Sequence, residues 1–188
     1  MVDAKMMKKN NKINCSIKNW DFDPEKMKVG AKVFHPFYGI GTYVGNNKTK
    51  KVLGKKCKFS TFTFDAKNLK VMLSTDSDTL IQKMIPSNEF FKVLEILKDE
   101  GYSFKSFKGG AYQRYKKSLS KIKSGNIFDV AEVLRDLNYM KKMKKRISKN
   151  EKKLLKKIKE SFCNTISSVA DVDDKEAKKM LNKLLTIA

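Results

Sequence analysis

The side chains of this chain that could do chemistry are few, and most of them are lysines. The single histidine, His35, precedes a proline and has no nucleophile placed beside it, so it reads as a structural or interface residue rather than a general base. The three cysteines, Cys15, Cys57 and Cys163, are widely separated, form no Cys-x-x-Cys pair and have no histidine cluster near them. That pattern argues against zinc and for free thiols in a reducing compartment. No glycine loop runs into Lys-Ser or Lys-Thr, as a nucleotide-hydrolysing phosphate loop would. The carboxylates are scattered and suit helix caps and helix surfaces. Arg135-Asp136 reads as a buried structural salt bridge. No catalytic constellation, cofactor or metal site emerges, and an enzyme is not expected.

What remains is charge. Lys and Arg number 42 against 20 Asp and Glu, a formal net charge of +22 in 188 residues. Such an excess favours polyanions as partners. An AT-rich coding sequence would also enrich lysine and asparagine, so composition alone does not decide the matter. The distribution is more informative. Residues 105–160 hold 19 Lys/Arg and five acidic residues, and the densest run is Lys141-Lys142-Met143-Lys144-Lys145-Arg146. Arginine occurs only at positions 114, 135 and 146. Lysine is a point charge suited to phosphate, whereas the arginine fork reads base edges in pairs of bonds, so sequence-tolerant binding is expected.

These groups must be positioned by a frame. Residues 1 to about 27 are Lys/Asn-rich with no clear period and read as a basic arm without fixed structure, with Trp20, Phe22 and Pro24 as its only anchors. From residue 28 to about 84 the signals are those of strands. Val33-Phe34 is one strand, His35-Pro36-Phe37-Tyr38-Gly39 a reversal, and Ile40 to Val44 the return, closed by Gly45-Asn46-Asn47. A basic loop over Lys48–Lys56 then leads to Cys57–Phe64, to Leu69–Leu73, and to a short strand near Leu80–Ile85. About five short strands suit a small SH3- or Tudor-like barrel. In it, Phe59, Phe62 and Phe64 read as core, with a base-stacking sheet as the alternative.

Helical spacing starts at Pro86-Ser87-Asn88, with Phe90, Phe91, Leu94 and Leu97. A junction follows from Gly101 through Gly109-Gly110. Further helices are predicted over Tyr112–Lys123, from Ile127 to about Met143, and after the capping boxes Ser148-x-x-Glu151 and Asp173-x-x-Glu176. The class is therefore α+β, with a barrel over residues 28–101 and an all-α unit over 108–188. No apolar run approaches a membrane span, and no signal-peptide core is present at the N-terminus. A cytoplasmic, nucleoid-associated protein is expected.

Three motifs carry a family resemblance over roughly residues 28–185. Val29-Gly30, Val33, His35-Pro36 and Gly39-Ile40-Gly41 resemble the opening hairpin "VGDxVVHPxxGIG" of the CarD/CdnL transcription regulators and of the related module in transcription-repair coupling factors. Ser124-Gly125-Asn126 with Val130-Ala131-Glu132-Val133-Leu134-Arg135-Asp136-Leu137 resembles the family's "SGD…AEVVRDL" helix. Residues 147–155 resemble the helix after it.

The resemblance implies a division of labour. The barrel would dock on the β subunit of bacterial RNA polymerase, with Lys50, Val71, Met72 and Leu73 as the facing set. Met72 stands where relatives often carry arginine. The helical unit would meet promoter DNA at the upstream edge of the bubble through Tyr112, Arg114, Lys117, Lys141, Lys142, Lys144, Lys145 and Arg146. The family's wedge tryptophan aligns with Ala111 and one of its arginines with Gln113, so Tyr112 would have to supply the ring. The implied activity is stabilisation of the open promoter complex, without membrane or small-molecule ligand. The alternatives are a general nucleoid or RNA-binding protein, and an accessory module of a repair translocase without its motor.

Overall fold

The structure, a computed structural model, describes residues 27–52, 55–64, 66, 68–74, 81–99 and 109–187. The basic arm through residue 26 and most of the junction at 101–110 lie outside the described residues. Five strands come first: β1 (Lys32–His35), β2 (Gly39–Val52), β3 (Lys55–Phe64), β4 (Leu69–Ser74) and β5 (Gln82–Lys83). Five helices follow: α1 (Ser87–Lys98), α2 (Ala111–Lys123), α3 (Ile127–Lys142), α4 (Lys149–Ala170) and α5 (Asp174–Ile187). The strands form one antiparallel sheet in the order β4-β3-β2-β1-β5. The fold is the expected α+β arrangement. Its sheet is barrel-like without closing, since β4 and β5 are its two edges among the described residues.

The opening hairpin forms as read, but β2 does not stop at Val44. It runs on to Val52 and pairs with β3 back to Lys55, so the basic loop expected over Lys48–Lys56 is a two-stranded ribbon. Two register shifts, between Tyr43 and Gly45 and between Asn46 and Lys48, break the period of two. Gly45 takes φ 137° there. The break gives Gly45-Asn46-Asn47 the look of a turn. Beyond it, Lys48-Thr49-Lys50-Lys51 has no apolar alternation to reveal a strand.

Two cores share β1. Successive strand residues point to opposite faces. Val33 joins Tyr43, Phe62, Phe64 and Ile81 inside the sheet unit, whereas Phe34 faces the helices and meets Phe162 edge-on at 6.3 Å. Phe62 and Phe64 are fully buried, which removes the base-stacking alternative for them; Phe59 is only half-buried. The β1–β2 reversal seats directly on α4. His35 stacks on Tyr38 at 4.3 Å, its Nδ1 accepts from the Phe37 N–H, and its carbonyl accepts from Ser161 Oγ. Gly39 has φ 80°, and a Cβ on it would stand 2.9 Å from the Ser161 carbonyl oxygen, so both backbone angle and space require glycine.

α3 is the central helix and touches the other four. Ile127, Val130, Leu134, Leu137 and Met140 are all buried as their spacing predicts, and Phe128, Ala131, Val133, Arg135 and Asn138 are buried with them. α1 turns Phe90, Val93 and Leu97 onto α3 and α5, while Phe91, one residue off that stripe, is exposed. Gln82 Nε2 donates to the Ser124 carbonyl at 2.6 Å, which pins the sheet edge to the end of α2.

Candidate nucleic-acid interface

The lysine run predicted to hold phosphate sits on the turn between α3 and α4. There the Lys144 N–H returns to the Lys141 carbonyl and the Lys145 N–H to the Met140 carbonyl, which satisfies the last carbonyls of α3. This closure requires a left-handed residue, usually glycine. Here it is Lys144, at φ 50°. Lys141 through Arg146 are all exposed. Lys142 Nζ caps α5 by donating to the Thr186 carbonyl at 2.9 Å.

The next helix starts beside this turn. Ser148 caps α4, its Oγ accepting from the Glu151 N–H while the Glu151 carboxylate accepts from the Ser148 N–H at 2.8 Å. The same carboxylate, fully buried, holds Arg114 of α2 in a two-bond fork: Nε to Oε1 at 2.6 Å and an Nη to Oε2 at 3.0 Å. The other reach of Arg114 is to the Arg146 carbonyl at 3.3 Å. Burial alone would push the Glu151 carboxyl up. The Arg114 guanidinium and the Ser148 N–H and hydroxyl outweigh it and hold the group below the usual glutamate range.

Arg114 is thus occupied. It ties the start of α2, the α3–α4 turn and the N-terminus of α4 into one corner. Tyr112, two residues before Arg114 in the first turn of α2, is 76 % exposed. A concavity of about 560 Å³ lies at this corner, lined by Ala111, Arg114, Arg146, Ser148 and Lys149. The N-termini of α2 and α4 both border it. α2 has no side-chain cap on Gly110 and no acidic residue in its first turn, so its leading N–H groups and positive dipole end suit an anion. Lys117 is exposed further along α2.

Arg135 is an ion-pair residue, as read, with a partner the sequence did not show. Its Nε donates to Asp136 at 3.1 Å and an Nη to Asp99 at 3.0 Å, joining α3 to the end of α1. The polymerase-facing set is divided by the pleat of β4. Val71 and Leu73 pack against the sheet core, whereas Met72 is exposed on an edge strand. The side chain of Lys50 lies outside the described residues. Among the described residues no cluster of His, Cys, Asp and Glu could hold a metal, and no helix is long and apolar enough to cross a membrane.

Sequence reasoning found Arg114 by alignment and Glu151 as a capping residue, but not that they are partners across 37 positions. Only the Ser-x-x-Glu spacing signalled that Glu151 had a fixed place.

Two family models match this chain: one described as CarD-like/TRCF RID domain over residues 27–85, and one described as CarD, C-terminal domain over residues 92–182. A relative in Bacillus subtilis (strain 168), named "Putative transcription factor YdeB", is 27 % identical over 151 residues, 80 % of this chain and 97 % of that protein.

Proposed function

The chain belongs to the CarD-like family of transcription factors, and from that premise we propose that it docks on the β subunit of bacterial RNA polymerase and stabilises the open promoter complex. The RID match implies polymerase interaction. The docking element is β4, an edge strand with Met72 turned outward, available for strand addition and apolar contact. The helical unit holds promoter DNA through phosphates.

The observation that carries this reading is the corner built by Arg114 and Glu151. Two helix N-termini meet there at the end of six consecutive exposed residues, five of them cationic, and Tyr112 offers an exposed ring in the first turn of α2. Tyr112 is the wedge at the bubble edge, and the lysine turn grips the backbone beside it. Arg114 acts as the scaffold of this corner rather than as a phosphate ligand. Each anchor alone can be weak, because docking on polymerase raises the local concentration of the DNA-binding unit.

The working units are 28–101 and 108–188. α1 buries its apolar face against α3 and α5, so cutting between them would uncover Phe90, Val93 and Leu97, and the test uses the full chain. Polymerase is captured from nuclease-treated extract by the wild-type chain and by Met72→Glu. Capture by the wild type and its loss in Met72→Glu are expected. Capture that vanishes on nuclease treatment would instead mark a general nucleoid or RNA-binding protein.

A further inference from the structure

A second cationic concavity lies between α4 and α5, at the end of α3, apart from the Arg114 corner. Its volume is about 700 Å³, within the range of small-molecule sites. Five lysines line it: Lys141, Lys152, Lys156, Lys159 and Lys178. None of the five forms an ion pair with a carboxylate of the described residues, although Glu160 and Asp174 stand at the same groove. Lys159 is half-buried; its burial and the nearby charges of Lys141 and Lys142 push its amine below the usual lysine range. Lys141, Lys152, Lys156 and Lys178 are exposed and screened by solvent, but their convergence with half-buried Lys159 on one concavity gives it a positive potential that attracts anions.

The floor is different in character. Leu155 and Leu181 are buried, and the half-buried Cys163 thiol joins them. Asn164 and Asn182 add two amides to the walls. A DNA duplex would meet the lysine rim but has nothing to place on an apolar floor in a concavity of this size. With Glu160 and Asp174 at the same groove the lining is left with three positive charges in excess, still more than one carboxylate can neutralise, which disfavours a simple acid. A ligand with several phosphates, a flat ring and hydrogen-bonding edges satisfies rim, floor and amides together. We propose that this groove binds a nucleoside polyphosphate, with the base over Leu155, Leu181 and Cys163 and the phosphates among the lysines. Against the expectation from sequence, the protein would then take a small-molecule ligand. Lys141 belongs both to this groove and to the lysine turn, so occupancy should weaken DNA binding. That last coupling rests on the proposed DNA surface; the binding site does not.

The test uses the full chain and Cys163 as a reporter, with Cys57 as the internal reference. Maleimide alkylation is followed by mass spectrometry at alkaline pH, because burial raises the Cys163 thiol above its usual range. ATP in metal-free buffer is expected to slow Cys163 alkylation at least tenfold and Cys57 alkylation little. Inorganic tripolyphosphate should protect less, since it has no ring to cover the thiol. Lys159→Gln and, separately, the exposed Lys178→Gln should each weaken ATP protection several-fold while their melting temperatures stay near wild type. No protection by ATP would overturn the proposal. So would equal protection by tripolyphosphate, which would mean that only charge is read. Equal protection by a short DNA duplex would assign the groove to the nucleic-acid face instead.

Discussion

The Arg114–Glu151 corner and the Lys141–Arg146 turn are neighbours with opposite uses of positive charge. In the corner, a guanidinium with little exposure commits its fork to a buried carboxylate and a backbone carbonyl. On the turn, four lysines stand in solvent, and Lys142 reaches the Thr186 carbonyl at the end of α5. Arg135 repeats the first pattern, bridging Asp99 and Asp136. Two of the chain's three arginines are therefore structural, and lysine is left for solvent and phosphate. Arginine's rigid, permanently charged fork fits fixed carboxylates, while lysine's hydrated point charge tolerates any phosphate geometry. Net charge alone would have treated the two regions as one basic surface.

The comparison breaks most visibly at Glu151. Glu151→Ala leaves the part-buried Arg114 without its partner and removes half of a capping box, for an expected loss of about 3 kcal/mol in chemical denaturation. A loss near zero would show that the corner is not a structural knot. The same carboxyl gives a pH signature. It is held below the range it has when unfolded, so its share of stability is complete above the ordinary glutamate pKa of about 4.3. That share is lost as pH falls through the folded value, and Glu151→Gln should flatten this acid limb.

The turn should respond in the opposite sense. Replacing Lys141, Lys142, Lys144 and Lys145 with Gln is expected to change stability by only about 0.5 kcal/mol. It should reduce the salt slope of DNA binding by roughly 0.9 for each phosphate that is no longer neutralised. An unchanged slope would place the DNA surface elsewhere. Tyr112→Ala tests the exposed ring in the first turn of α2. It should shorten open-complex lifetime after competitor challenge by the worth of one stacked base, about 1–3 kcal/mol, with polymerase capture intact. Ala111→Trp should lengthen it. If both variants match wild type, the chain works through tethering and phosphate binding alone. A last variant sharpens the contrast. Lys144→Gly relieves a left-handed lysine and should stabilise the fold by about 1 kcal/mol while weakening DNA binding.

Legibility in the sequence followed period and distance. The β1–β2 reversal and the stripes of α2 to α5 were readable because each is a local repeat of apolar residues or a cap within four positions. The ribbon of β2 and β3 was not, since bulges at Gly45 and Asn46 erase the alternation and lysines beyond them carry no burial signal. Partners far apart in the chain were also hidden. Arg114 pairs across 37 positions with Glu151 and Arg135 across 36 with Asp99, and no local pattern encodes either. The charge run was legible as a composition, but its division into scaffold and solvent-facing surface depended on those pairings.

The placement of Val33 and Phe34 in separate cores has a consequence for how the molecule opens. A strand of four residues whose two faces belong to different hydrophobic clusters cannot let go of one while keeping the other ordered. Amide hydrogen exchange at β1 should therefore occur only through whole-molecule opening, with sheet and helices behaving as a single cooperative foldon. Loosening the helical core with Phe162→Ala should then speed exchange in β3, whose Phe62 and Phe64 belong to the other core, as much as it does within α4. A force felt by the sheet through its β4 edge would in the same way be carried to the helices as a rigid displacement, with no hinge at β1 to absorb it.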